Sequence, residues 1–308
     1  HFESARGILD TFALFTELCI QLASREGLVG QVLPDIVLLK AYPSIRQLIL
    51  DTCRIIHAVH WGRPFPEAVI DACTLILLKT DDSVDRSDNT INIIRDIEDF
   101  SSGRWTSCHV AQRVWEGLEG SKFNLYLSGR AYDLKQKLDT VSHPLAELCH
   151  THEGIHSGNI RKKLFPHERK NDNCYPLVLS GSELESYLLK WSGRYVDYSK
   201  NVIDKDAGEY ANLAKQEYFV QPKILIQRTG DVVVAAFDQE GLYASNNLFV
   251  SQFHEKGGYS YHFLTALLNS KLLTWYFRPI QPRVESVFAE VKIVHIDQCP
   301  VRRISFDE

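Results

Sequence analysis

At 308 residues, 44% hydrophobic and 24% charged, the chain has room for two domains with cores of their own and the composition of an ordinary soluble globular protein. No run of eighteen apolar residues is present to span a membrane, and no C-x-x-C pair gathers the seven cysteines into a zinc site, so a cytoplasmic protein with reduced, mostly buried thiols is expected. The net charge of −5, divided as −4 over residues 1–130 and −1 over 131–308, excludes a domain basic throughout and leaves any nucleic-acid surface as a local patch.

Ile8, Phe12, Phe15, Leu18, Cys19 and Leu22 recur at helical steps, which predicts an amphipathic helix over 8–24. The chain opens in register with that helix and without a start residue, which reads as a fragment boundary. Gly27 stops the helix, and Leu28–Leu33 is a strand ending at Pro34. A helix over 44–51 and strands over 54–61 and 71–79 complete the second half of an open α/β sheet closed by an antiparallel pair. The acidic stretch 81–88 reads as a solvated loop and 91–97 as an edge strand, with a helix over 106–119. The expected division is a first domain over 1–100, a helical connection over 101–135 and a second, α+β domain over 136–308. In that second part a small-residue loop, Gly154 to Gly158, precedes a basic cluster. Strands are predicted over 190–198, 223–229, 232–237 and 242–250, with a short helix over 208–216. Gly230-Asp231 makes a hairpin turn, one long helix covers 259–277, and the tail over 284–303 returns to strands.

Two stretches resemble a known family. Asp10, Phe12, Phe15, Glu17, Gly27, Gly30, Leu33-Pro34, Phe65-Pro66, Ala68, Ile70, Cys73, Leu75 and Leu77 keep the order found downstream of the catalytic motif in TaqI-like, type IIG adenine-specific DNA methyltransferases. Gly154-Ile155-His156-Ser157-Gly158, Trp191–Tyr198, Pro222–Asp231, Asn246-Asn247-Leu248 and Leu264–Phe277 resemble the TaqI-like C-terminal specificity domain. Of these, the L-L-N-S-x-L run is the most specific.

The resemblance implies a fold and a role. The fold would be the C-terminal half of a Rossmann-like methyltransferase sheet followed by an α+β target-recognition domain. The role would be to bind double-stranded DNA for an enzyme of a restriction–modification system that moves a methyl group from S-adenosylmethionine to the adenine amine. Such enzymes need a glycine-rich loop for the cofactor and an [NDS]-P-P-[YF] loop at the target base. No two of the eleven prolines are adjacent and no G-x-G occurs. The cofactor is therefore expected only in a complete protein, whose upstream catalytic part would be the partner; alone, this chain should be inactive.

By the same resemblance Phe65 would stack on the flipped adenine and Phe15 would border the cofactor. Phe65 reads equally as a plain turn aromatic, and Phe15 also fits the core stripe of its helix. Phosphates would be met by the Gly154, Ser157, Gly158 loop and by Arg161, Lys162, Lys163, Arg169 and Lys170, which otherwise form a solvated loop. Arg194 and Arg228 come after strand-like runs and could read base edges or make surface ion pairs. His150, His152 and His156 lack the companions of a metal site, and none is expected. The competing readings are a non-catalytic DNA-binding subunit or relic of a phage-defence complex, and a protein–protein scaffold.

Overall fold

Asp10 stands in extended conformation ahead of helix α1 (Thr11–Leu22), and the face α1 buries is Ala13, Thr16, Glu17 and Ile20. This shifts the expected stripe. Glu17 is drawn in because its carboxylate accepts the backbone N–H groups of Glu3 and Ser4, each at 2.8 Å, so the first residues are strapped across the helix rather than continuing it. Phe15 is turned outward, 61% exposed. The structure, a computed structural model, describes residues 2–7, 10–38, 42–65, 67, 70–127, 129–179, 181–230, 232–254, 258–280 and 291–304, and the chain divides into two compact units, 1–136 and 137–308.

In the first unit, β1 (Leu28–Pro34) is succeeded by α2 (Pro43–Thr52), β2 (Cys53–Gly62) and β3 (Ala72–Lys79). The acidic stretch holds a short helix, α3 (Ser83–Ser87), capped by the Asp82 carboxylate. Next come β4 (Thr90–Asp99), β5 (Arg104–Ala111), α4 (Gln112–Glu116) and α5 (Gly129–Val141), the last running across the division between the units. The sheet order is β1-β3-β2-β4-β5, with β2 and β4 parallel and every other pair antiparallel. The expected antiparallel pair is present, and its second strand inserts between β1 and β2, which are therefore parallel to each other.

Two expectations fail here. The strand expected at the edge is internal, and the outer strand, β5, occupies residues expected as a helix. Trp105, Thr106 and Val110 favour a strand paired with β4, and the helical spacing of Val110, Val114 and Trp115 arises because the strand's end and α4 feed the same core. Residues 101–127 thus pack into the first unit instead of connecting two domains. Buried polar groups fix the rest. Gln112 bridges Cys53, Ile55 and Asn89 at 2.9 Å. Arg46 donates to the carbonyls of Val37, Gly120 and Ser121, and burial lowers its pKa to about 10.

The second unit starts with β6 (Ser142–Pro144), β7 (Cys149–Glu153), α6 (Arg161–Leu164) and β8 (Cys174–Val178). The hairpin β9 (Leu184–Glu185) and β10 (Leu188–Leu189) comes next, then β11 (Tyr195–Asp197), α7 (Glu217–Val220) and β12 (Lys223–Gln227). After β13 (Ala235–Asp238), β14 (Tyr243–Ala244) and β15 (Leu248–Phe253), the chain closes with α8 (Tyr261–Leu268), α9 (Lys271–Ile280), α10 (Ile293–Asp297) and β16 (Pro300–Arg302). The main sheet, β13-β12-β15-β7, is antiparallel throughout. It has a core on each face: Ile224, Ile226 and Phe249 meet Leu264, Leu268 and Phe277, while Leu225 and Val250 meet Val196, Phe219 and Tyr243. This explains why β12 reads as an unbroken apolar run.

The single long helix is in fact two, broken at Asn269-Ser270. Asn269 turns its side chain onto the outer edge of β13, donating to Ala235 O at 2.7 Å and accepting from Ala235 N at 3.0 Å, while Ser270 Oγ accepts Leu273 N and caps α9. The L-L-N-S-x-L run is therefore a tether and a cap. The tail holds α10 before its strand, residues 208–216, expected as a helix, form none and are followed by α7, and expectations for 284–290 and Asp231 lie outside the described residues. All seven cysteines are free, and burial raises the thiol pKa of Cys53, Cys73, Cys149 and Cys299. Among the described residues no helix is long and apolar enough to cross a membrane.

Candidate nucleic-acid interface

In the first unit, β1, β2 and β4 run the same way, so the loops leaving their carboxyl ends gather at one end of the sheet. In α/β sheets this carboxyl end is where ligands bind. Asp35 comes just after β1 and sits 3.9 Å from His60 near the end of β2. Phe65 lies beyond the end of β2 and is 51% exposed, so it is not a turn aromatic packed into the core. Arg63 beside it is paired with Asp71 at 3.2 Å. Phe100 comes after β4 at the tip of the β4–β5 hairpin, where its ring lies 5.0 Å from Trp61 and 5.0 Å from Trp105.

Sequence patterning gives no sign of that aromatic row, because it gives none of the hairpin. The turn is pinned by Asp99, which accepts Ser101 N, the hydroxyls of Ser101 and Ser102, and Arg104 Nη2. The two serine hydroxyls hold its carboxyl below the ordinary aspartate range.

In the second unit the small-residue loop proves to be a packing device. A Cβ on Gly154 would fall 2.2 Å from Ser245 O, and one on Gly158, whose φ is +51°, would fall 1.9 Å from Tyr210 O. Ser157 is buried, and His156 exchanges 2.8 Å backbone hydrogen bonds with Asn212. The close approach these glycines permit is to the protein's own backbone.

The basic residues beyond the loop are open. Arg161, Lys162 and Lys163 are exposed on α6, and Arg169 and Lys170 are exposed in the loop after it. Lys163 pairs with Glu209 at 2.6 Å and Arg169 with Asp172 at 3.5 Å, and Arg161 lies 5.5 Å over the Phe165 ring. Lys162 and Lys170 make no ion pair among the described residues. The two arginines read as meeting either base edges or surface ion pairs both contact the protein's own groups. Arg194 Nη1 donates to Phe165 O at 3.2 Å, and Arg228 Nη1 lies 3.4 Å from Glu153 Oε1. Of the three histidines, His150 stacks on His254 and His152 on Tyr218.

Fold and surface define a mixed α/β chain with an open aromatic sheet end on one unit and an exposed cationic helix and loop on the other. Residues 176–301 match the model of the TaqI-like C-terminal specificity domain, and the second unit carries that domain. The Gly154–Gly158 loop and α6 lie ahead of the matched residues. Among solved structures the chain is similar to the type IIL restriction-modification enzyme MmeI in complex with DNA, at 13% identity and a TM-score of 0.52, over 92% of this chain and 40% of that one. It also matches the type IIG restriction endonuclease BpuSI, at 12% identity and a TM-score of 0.41, over 98% of this chain and 43% of that one. The likeness to MmeI is one of fold, and the chain spans less than half the length of either. No curated protein matches.

Proposed function

We propose that the chain is the DNA-binding and target-recognition part of an adenine-specific DNA methyltransferase of a restriction–modification system. The specificity-domain match over residues 176–301 carries this reading. The complete enzyme would use S-adenosylmethionine, and Phe15, exposed on α1, would border its adenine. The sequence contains no glycine-rich loop and no proline pair to complete a cofactor or target-base site.

The first unit supports an upstream catalytic partner. Strand β1 is paired only with β3 among the described strands, and Leu28 and Val32 on β1 and Phe15 and Leu22 on α1 are all exposed. A long apolar sheet edge of this kind is normally paired or covered. An upstream part of the same protein that continues the sheet past β1 would cover it.

Two measurements test the reading. The polypeptide of 308 residues is expected to transfer no methyl group to duplex DNA when given S-adenosylmethionine; methylation by this chain alone would overturn its placement outside the catalytic part. It is expected to bind duplex DNA with an affinity that falls as salt rises. Lys162→Glu with Lys170→Glu should weaken binding about equally for every sequence and lower the salt slope by roughly one unit per lost phosphate contact. Binding unchanged by that double reversal would make the basic face a merely solvated one.

A further inference from the structure

The Trp61–Phe100–Trp105 row belongs to no core. Its middle ring, Phe100, is 48% exposed at a hairpin tip, and the tryptophans on either side are half-buried. The ring is held in place, not left to collapse. Strand β4 bulges between Arg95 and Asp99, with Asp96 in the left-handed region at φ +52°, and a bulge of this kind re-aims the segment after it. Asp99 then ties down the turn, and Gly103, at φ +76°, supplies the left-handed residue that returns the chain into β5. On the β2 side Trp61 is fixed by its Nε1–H, which donates to Thr74 Oγ1 at 2.8 Å.

The charges around the row decide what it can hold. Arg104 is engaged by Glu98 and Asp99, and Arg63 by Asp71, so these cations are already neutralised and the surface gives a phosphate little purchase. What remains is aromatic ring, whose partner by chemistry is another planar ring. Every nucleobase has a π-face, and stacking on a fixed aromatic is tolerant of sequence.

We infer that the row at the β4–β5 tip is a stacking surface for an unpaired nucleobase of the bound DNA, separate from Phe65 on the neighbouring loop. This rests on the DNA-binding reading above. A duplex site with one base out of its stack leaves an exposed ring on that base or on the partner left behind, and the exposed part of Phe100 offers it an aromatic neighbour.

The test uses the whole chain and two fluorescein-labelled duplexes, identical except for one central unpaired thymine. The parent is expected to bind the bulged duplex roughly five- to a hundredfold more tightly than the perfect one, the range for one base stacked on an aromatic side chain. It should also show tryptophan quenching with the bulged duplex alone. Phe100→Ala and Phe100→Leu should each lose the preference and the quenching, while affinity for the perfect duplex and the melting temperature stay at parent values. A preference that survives both substitutions, one that Phe65→Ala alone removes, or equal binding of the two duplexes by the parent overturns the inference and leaves the DNA reading intact. A parent that binds neither duplex overturns the DNA reading and the inference together.

Discussion

Lys223→Ala is expected to lower the stability of the second unit by about 3–5 kcal/mol, the usual consequence of removing one partner from a buried ion pair. Lys223 and Asp238 are both buried, facing each other across the β12–β13 pair. The Lys223 ammonium donates to Asp238 Oδ2 and to Phe219 O, tying α7 to the sheet. Asp238 also accepts Glu240 N at 3.0 Å and Leu242 N at 2.9 Å, which shapes the turn into β14. Burial lowers the lysine pKa, and the charge and hydrogen bond of Asp238 oppose that shift. Without the ammonium, a carboxylate would stand in an apolar core. For a unit of this size the loss corresponds to a melting temperature roughly 6–20 °C lower. Lys223→Met with Asp238→Leu should recover only part of it: the unpaired charge is gone, but the Leu242 N–H that Asp238 accepts is left without its partner. A single variant that melts within a degree or so of the parent would refute this account.

Gly158→Ala is the second large effect. The new methyl group would meet Tyr210 O inside any permitted distance, in a backbone conformation that already disfavours a side chain. Neither side can yield cheaply. Asn159 N donates to Tyr210 O, Asn159 Oδ1 accepts Tyr210 N at 2.9 Å, and Asn159 Nδ2 donates to Gly208 O at 3.1 Å. Strain and overpacking each cost about 1–3 kcal/mol. The expected result is a lower melting temperature and faster proteolysis of the 155–212 region. A variant with the parent's melting temperature and weakened DNA affinity would instead return this loop to the phosphate-binding role suggested by its composition.

The strands of the first unit are legible in the sequence because β1, β2 and β3 are rich in Leu, Ile and Val, β1 being bounded by Gly27 and Pro34 and β2 followed by Pro64. Strand β5 is not, since Val110, Val114 and Trp115 fit a helical period as well as they fit a strand end followed by α4. Without that strand the hairpin is hidden, and with it the meeting of Phe100, Trp61 and Trp105, which depends on pairing between strands forty residues apart in sequence. Glu17 stands out in the sequence only as a motif position; its burial depends on two backbone N–H groups that no periodicity encodes. The exposure of Phe15 comes from the same rotation of α1. In the second unit the motifs are visible, but their roles are inverted. The glycines are spacers for the protein's own chain, Asn269 a clasp on β13, and Arg194 a support for Phe165. Only the cations of α6 and the loop beyond it remain turned outward as composition suggests.

That division has a consequence for how the chain can change over generations. The anchors of the second unit, Lys223 with Asp238, Asn269, Gly154 and Gly158, are buried or face the protein's own backbone. Lys162, Arg169 and Lys170 are exposed, and among the described residues their one ion pair is the surface contact of Arg169 with Asp172. Substitutions at such surface positions alter stability by no more than about half a kcal/mol. Under the proposed function, a lineage could redraw the charge pattern it presents to DNA while the scaffold beneath is inherited unaltered. New affinities and salt dependences would then arise without passing through unfolded intermediates.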